Sequence, residues 1–380
     1  MIMKKFLLIP DSFKGTMSSA EICSLMKEKI QEYYPAAEVH SIPVADGGEG
    51  SVDCFLQALG GEKVFVTTQN PFFEPVDSYY GLIDDGRTAV IEMAASAGLP
   101  LVEDRRNPMK ASTFGVGELI LHAARKGVSK IVMGLGGSCT NDGGCGAACA
   151  VGVRFLDEAG NSFVPTGDTL HRIRRLDLSQ TEPMIKDIEF VTMCDIDNPM
   201  YGPTGAAAVF GPQKGATPEE VALLDAGVQH LSQIIRQAMG LDLAFVPGTG
   251  AAGAMGAGMA AFFHSRLQMG IQTILDTVQF EKLAAGADMI FTGEGKLDSQ
   301  SLRGKVVIGV ARRAKALGVP VTALVGDIGD DIEAAYDEGV SAVFSINRVA
   351  VDFSVARLRS RQDLSLTIDN LMRFYRAMKL

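Results

Sequence analysis

Apolar runs and helical stripes alternate in the first part of the chain and again near its end, while the middle follows a different rhythm. Phe6-Leu7-Leu8-Ile9 is an unbroken apolar run, the mark of a strand buried on both faces. Ser18-Ser19 then caps a helix whose Ile22, Leu25, Met26 and Ile30 share one side, with Glu21 in the first turn, where negative charge suits the helix dipole. Val39–Val44 predicts a second strand, and Ser51–Leu59 a helix closed by Gly60-Gly61. From Glu62 the period shortens to two. Val64–Thr68, Ser78–Ile83 and Thr88–Met93 predict a meander turning at Asn70-Pro71 and Asp84-Asp85-Gly86. A helix at Gly115–Lys126, a strand at Ile131–Met133, a helix start at Ala147–Val151, a strand at Glu189–Met193 and a long helix at Pro218–Met239, stopped by Gly240, follow. After Asp288 strands (Met289–Thr292, Val321–Val325, Ala342–Ile346) alternate with helices (Lys305–Leu317, Asp330–Glu338, Leu364–Met378).

Two strands before Glu62 and three after Asp288, each set alternating with helices, make one doubly wound parallel sheet. The expected fold class is α/β with two α/β domains. Residues 1–61 and 286–380 form a discontinuous domain, and residues 62–285 form a mixed α/β domain inserted into it. The two crossings lie close together, so a cleft between the domains is expected to carry the active site. Loops 11–15, 46–50 and 293–298 lie at the carboxyl ends of strands, the edge where open parallel sheets bind ligands.

The most informative stretch is Lys130–Gly146, KIVMGLGGSCTNDGGCG. A short β-branched run leads into Gly134, Gly136, Gly137, Ser138 and Thr140, then Asn141-Asp142 and more glycines before the small-residue helix start. Glycines remove the Cβ atoms that block a ligand, and free N–H groups at a helix start favour anions. A carboxylate in such a loop suits phosphoryl transfer, where Mg²⁺ must be held near phosphates. A capped tight turn is the structural alternative.

Composition narrows the classes. A net charge of −10 and a pI near 5.1 argue against nucleic acid or an anionic membrane as partner. The run Phe6–Ile9 is too short for a signal peptide, and Ala251–Phe263 too short and glycine-rich to span a bilayer, so a soluble protein is expected. The six cysteines show neither a CxxC pair nor a flanking histidine pattern, which reads as reduced thiols in the cytoplasm. Cys139 lies inside the glycine loop without a histidine nearby, and the five histidines form no ligand spacing.

Gly248-Thr249-Gly250-Ala251-Ala252-Gly253 matches the dinucleotide pattern GxGxxG, but no acidic strand end follows about twenty residues on. It reads as a helix-start phosphate site or as close helix packing. Walker A and protein-kinase signatures are missing. Asp11, Asp46, Asp142, Asp195, Glu294 and Asp298 are acids in polar loops, and Lys14, Lys214, Lys296 and Lys305 are lysines in or beside them. The acids could serve a metal or a general base, and the lysines a carboxylate or phosphate.

Several blocks together resemble a known family. They are Pro10-Asp11-Ser12-Phe13-Lys14-Gly15, Pro43-Val44-Ala45-Asp46-Gly47-Gly48-Glu49-Gly50, Gly134–Gly144, Phe210-Gly211-Pro212-Gln213-Lys214-Gly215, Pro247–Gly256, and Thr292–Ser301 with Gly304-Lys305. The sequence resembles the bacterial type 1 glycerate kinases along almost its whole length, departing at Cys139, where alanine is expected, and Ala254, where glycine is expected. The resemblance implies a flavodoxin-like domain with an inserted second domain, ATP and Mg²⁺ as cofactors, and D-glycerate as the acceptor. The implied product is 2-phosphoglycerate, with 3-phosphoglycerate the alternative, in glycolate, glyoxylate, glucarate or galactarate use. A homodimer is compatible with the sequence.

Roles within the site follow from chemistry. Gly134, Gly136, Gly137, Ser138, Gly250 and Gly253 are expected to approach the nucleotide phosphates. Asp195 is the candidate base or metal ligand, with Asp46 and Asp142 next, and Asp142 the second metal ligand. Lys14 and Lys296 are expected to hold the substrate carboxylate or the transferring phosphoryl. Ser12, Asp46, Asn141 and Glu294 are the expected substrate contacts. A nicotinamide dehydrogenase resting on Gly248–Gly253, and a non-catalytic nucleotide-binding sensor of glycerate, are the competing classes.

Overall fold

A computed structural model describes residues 3–45, 47–48, 50–298 and 301–378. Its strands along the chain are β1 (Lys5–Pro10), β2 (Glu38–Ser41), β3 (Glu62–Gln69), β4 (Pro75–Ile83), β5 (Thr88–Glu92), β6 (Lys130–Gly134), β7 (Arg154–Leu156), β8 (Ser162–Phe163), β9 (Arg175–Asp177), β10 (Glu189–Met193), β11 (Arg266–Gln268), β12 (Met289–Leu297), β13 (Val321–Ile328) and β14 (Val340–Ser345). The chain divides into two compact units.

The first unit comprises Met1–Ala45, Gln57–Leu59 and Ile271–Leu380. Its sheet runs β14-β13-β12-β1-β2, with every pairing parallel. Counted within the unit, that is the flavodoxin-like order 2-1-3-4-5, with the switch of winding between β1 and β12. Phe6, Leu7, Leu8 and Ile9 are all fully buried, as a central strand covered on both faces requires. The helix Ser19–Tyr33 starts where expected: the Ser18 hydroxyl accepts the Glu21 N–H at 3.3 Å. Its buried Ile22, Met26 and Ile30 join Leu364, Ile368 and Met372 of the last helix in one core. That last helix spans Phe353–Ala377, beginning well before Leu364. Its early buried positions are Ala356, Ser360 and Asp363, too small or too polar to register as an apolar stripe.

The second unit comprises Asp46–Leu56 and Gly60–Gly270. Its main sheet runs β11-β10-β6-β5-β4-β3. The first four strands are parallel, and β5, β4 and β3 form the antiparallel meander. A small sheet, β8-β7-β9, was not expected, because strands of two or three residues carry no readable period. The two units divide at Ala45 and at Gly270, earlier in the chain than the strand rhythm suggests. The helix Ser51–Leu59 shows why: the Val52 N–H donates to the Glu92 carboxylate at 2.6 Å, and a side chain at Gly81 would meet Val52. The long helix Pro218–Met239 carries a full capping box between Thr217 and Glu220, and ends at left-handed Gly240.

Candidate functional site

Each unit holds a cavity at the carboxyl ends of its parallel strands. In the second unit the glycine loop leaves β6 and Asp195 follows β10, its parallel neighbour. A cavity of about 580 Å³ lies there, lined by Gly136, Gly137, Ser138, Asp195, Lys214 and Ala252 together with apolar side chains that include Leu99, Leu135, Ile196 and Phe210. Apolar walls with a few converging polar groups are the usual make-up of a small-molecule site.

The glycines of this unit divide into two kinds. Gly136 and Gly137 face the cavity, and Gly137 takes a positive φ of 75°. Gly134, Gly250 and Gly253, also expected near the phosphates, are not among the residues that line it. They are glycine because protein backbone occupies the space a side chain would need. A Cβ on Gly253 would sit 2.0 Å from the Thr140 carbonyl oxygen, and one on Gly250 would sit 2.0 Å from that of Pro199. On Gly134 it would meet the Gly47 carbonyl oxygen at 2.5 Å. Ala251 and Ala252 are the residues of that segment that reach the cavity. Ala252, Gly253 and Ala254 are all left-handed (φ 55°, 68° and 64°), a strained arrangement for two alanines at roughly 1–3 kcal/mol each. Phe245 and Val246 form no strand, so the dinucleotide fingerprint lacks its leading element and the dehydrogenase reading loses its support.

Asp142, the expected second metal ligand, is held by protein donors. It is fully buried, and its Oδ2 accepts from the Thr113 N–H (2.8 Å), the Thr113 hydroxyl (2.8 Å) and the Gly146 N–H (3.2 Å). Its Oδ1 accepts from the Gly144 N–H at 3.1 Å. The carboxylate therefore pins the loop to the neighbouring helix start and has little capacity left for a metal ion. Burial raises its pKa, and these donors oppose the rise. Asn141, an expected substrate contact, lies wholly inside. Neither its amide nitrogen nor its oxygen has a hydrogen-bond partner among the described residues, and Thr140 Oγ1 shares that state. Burial pushes the Cys139 thiol up to about 12, which removes it as a nucleophile.

Lys214 is the residue that sequence reasoning undervalued. It is 2% exposed, and its Nζ donates to Ser138 Oγ at 2.8 Å and to the Thr140 carbonyl at 2.7 Å. No carboxylate among the described residues is close enough to form an ion pair with it. Desolvation brings its pKa down to about 8, although Cys139 and Asp142 pull the other way. Asp195 lines the same cavity, and its Oδ1 accepts the Gly270 N–H at 2.7 Å.

In the first unit a cavity of about 410 Å³ sits where β1 and β12 end, at the switch point of the sheet. It is dense in charge. Lys14, Lys296, Lys305 and Arg357 line it with Asp11, Glu294, Asp298 and Asp327, and Ser12 is at its wall. Lys296 pairs with Asp327 at 3.2 Å at an exposed position. The Ser12 N–H donates to Asp11 Oδ1 at 2.6 Å. Glu294 is 6% exposed, and its Oε1 has no hydrogen-bond partner among the described residues. Burial pushes its carboxyl up to about 7, helped by Asp11 and Asp298 and opposed by the Ser301 hydroxyl and Lys305. Of the expected site residues, this unit thus gathers Ser12, Lys14, Glu294 and Lys296, and the second unit gathers Gly136, Gly137, Ser138 and Asp195. Asp46 lies outside the described residues. Among the described residues no cluster of three or more His, Cys, Asp or Glu is placed to hold a metal ion.

Comparison with known proteins gives a consistent result. The family model described as "Glycerate kinase family" matches residues 6–376. A glycerate kinase from Halalkalibacterium halodurans is 42% identical over 345 residues, covering 90% of this chain and 91% of that protein. A glycerate 2-kinase from Escherichia coli strain K12 is 39% identical over 343 residues, covering 90% of each. A crystal structure described as a candidate glycerate kinase 2 from Salmonella typhimurium LT2 superposes with a TM-score of 0.87 at 37% identity, covering 99% of both chains.

Proposed function

This chain belongs to the glycerate kinase family, and on that premise we propose that it transfers the γ-phosphoryl group of ATP to the C2 hydroxyl of D-glycerate, giving 2-phosphoglycerate. The observation that carries the reading is the pair of unlike cavities. The larger one in the second unit has apolar walls for a base and ribose, and the loop Gly136–Ser138 with Lys214 for the phosphates. The smaller, charge-dense one in the first unit suits a short hydroxy acid, with Lys14, Lys305 and Arg357 to meet its carboxylate. The name of the Escherichia coli relative, glycerate 2-kinase, favours the 2-phospho product over the 3-phospho alternative.

The donor set suits a nucleotide-borne Mg²⁺ better than a protein-built cage. Mg²⁺ keeps several waters and takes one or two carboxylates beside substrate phosphates. Asp195, at the wall of the larger cavity, is the carboxylate that would hold it. Held there, the ion would supply neutralisation of phosphate charge. Lys214 and the loop fix the phosphate chain, while Lys14, Lys305 and Arg357 orient the acceptor. Positioning and charge neutralisation supply most of the rate in such reactions. We place the activity in the cytoplasm, within the catabolism of glycolate and glyoxylate or of sugar diacids. No helix among the described residues is long and apolar enough to cross a membrane.

The test is ³¹P NMR of the purified protein with Mg-ATP and D-glycerate. A new phosphomonoester signal coupled to the C2 proton is expected. Coupling to the C3 methylene would overturn the regiochemistry. Intact ATP would overturn the kinase reading and leave a glycerate-binding sensor.

A further inference from the structure

In the first unit's cavity, Glu294 is poorly suited to hold glycerate by charge. The acceptor is an anion, and a second carboxylate beside it would repel it. The basic groups Lys14, Lys305 and Arg357 already serve the substrate carboxylate, and Lys296 is paired with Asp327. Glu294 nonetheless lines the cavity from the end of β12, almost wholly removed from water, with Oε1 lacking a partner among the described residues. A buried, unsatisfied acceptor is costly unless something else supplies a donor. Among glycerate's groups, the two hydroxyls are the ones that donate, and the one to be phosphorylated must also lose its proton.

We propose that Glu294 is the general base of the reaction, accepting the proton of the glycerate hydroxyl at Oε1 as that oxygen attacks the γ-phosphorus. This rests on the reading of the first unit's cavity as the glycerate site. The hydroxyl oxygen forms the new P–O bond with a lone pair. The bond between the γ-phosphorus and the β,γ-bridging oxygen breaks, and its electron pair leaves with ADP. The hydroxyl proton passes to the Glu294 carboxylate and then to solvent, so one proton is released per turnover. Asp195, the base or metal ligand expected from the sequence, lines the second unit's cavity instead.

The charges facing Glu294 are mixed. Asp11 and Asp298 disfavour its ionised form, Lys305 favours it, and Lys14, Lys296, Asp327 and Arg357 line the same space. A carboxyl that titrates near neutrality is matched to proton transfer at cellular pH.

Two measurements test the proposal. The first is kcat/KM for D-glycerate in the wild-type enzyme at saturating Mg-ATP, followed from pH 5.5 to 9. It should rise with pH through an ionisation near 7 and then level. A rate that falls through that range would make Glu294 a protonated hydrogen-bond donor and overturn the base. The second is Glu294→Gln, with folding checked by thermal melting. The variant should lose the limb near pH 7 and lower kcat by roughly 10²–10⁴-fold, with KM for glycerate little changed. An unchanged kcat with a raised KM would overturn the base and make Glu294 a binding residue only. A wild-type enzyme that leaves glycerate unphosphorylated would instead refute the reading on which the proposal rests. If the variant fails to fold, the wild-type pH profile alone decides.

Discussion

Lys214 is a buried cation with two neutral acceptors and no ion-pair partner among the described residues, so its charge should weaken the fold by an amount that depends on pH. Its pKa falls from 10.5 in the open chain to about 8 in the folded protein. The folded state therefore disfavours the proton. The full penalty is present below pH 8, where both states are protonated, and it fades as pH rises towards 10.5, because the unfolded chain then holds the proton more firmly. A drop from 10.5 to about 8, at 1.36 kcal/mol per pKa unit, makes the penalty about 3 kcal/mol near pH 7 and about 1 kcal/mol at pH 10. The perturbation is Lys214→Met, which keeps a four-atom apolar stem and removes the ammonium. It also leaves Ser138 Oγ and the Thr140 carbonyl without their donor, a loss of roughly 1–3 kcal/mol that does not vary with pH. The two terms nearly cancel at pH 7, so a single measurement there would mislead. The assay is urea unfolding of both proteins at several pH values from 7 to 10. The stability of wild type relative to Lys214→Met should climb by about 2 kcal/mol across that span. A flat difference would refute the account of Lys214 as a desolvated cation. ATP should open a difference in favour of wild type at pH 7, since an anion in the cavity returns the missing partner to Lys214 alone.

Three further outcomes are expected. Asp142→Asn replaces an acceptor of four hydrogen bonds with a group that turns a donor toward donors, and should lower stability by roughly 2–4 kcal/mol in chemical denaturation, with the midpoint rather than kcat reporting the damage. Gly253→Ala places a Cβ 2.0 Å from the Thr140 carbonyl at φ 68°, so it should lower the thermal midpoint sharply, whereas an unshifted midpoint would show that the loop can move aside. Asp195→Asn should lower kcat far more than it lowers the unfolding free energy; an unchanged kcat would remove Asp195 from the reaction.

Much of the architecture could be read before any coordinates. Phe6–Ile9 announced a doubly covered strand because four successive apolar residues leave no exposed face. The helix after Ser18 was marked by its capping serine, and the helix Pro218–Met239 by the glycine that stops it. What failed to show depends on contacts distant in sequence. Lys214 in Gln213-Lys214-Gly215 looks like any loop lysine, and its burial is set by Ser138 and Thr140, 76 and 74 residues away. Asp142 looks like a metal ligand until Thr113 is brought to it across 29 residues. A glycine that admits a phosphate and a glycine that admits another stretch of backbone are the same letter. Gly136 and Gly253 part company only in three dimensions.

The position of β1 has a consequence for how the protein is made. The strand lies inside its sheet, between β2 and β12, and β12 is far off in sequence: the Thr292 hydroxyl donates to the Ile9 carbonyl across 283 residues of chain. At ribosomal rates of about 5–20 residues per second, the apolar segment Phe6–Ile9 waits roughly 15–60 s for the strand that will cover its edge. The second unit, Asp46–Leu56 with Gly60–Gly270, emerges complete in that interval. The nascent chain is therefore expected to carry one finished unit and one open, sticky edge for most of its synthesis, which makes the first unit the natural client of a chaperone.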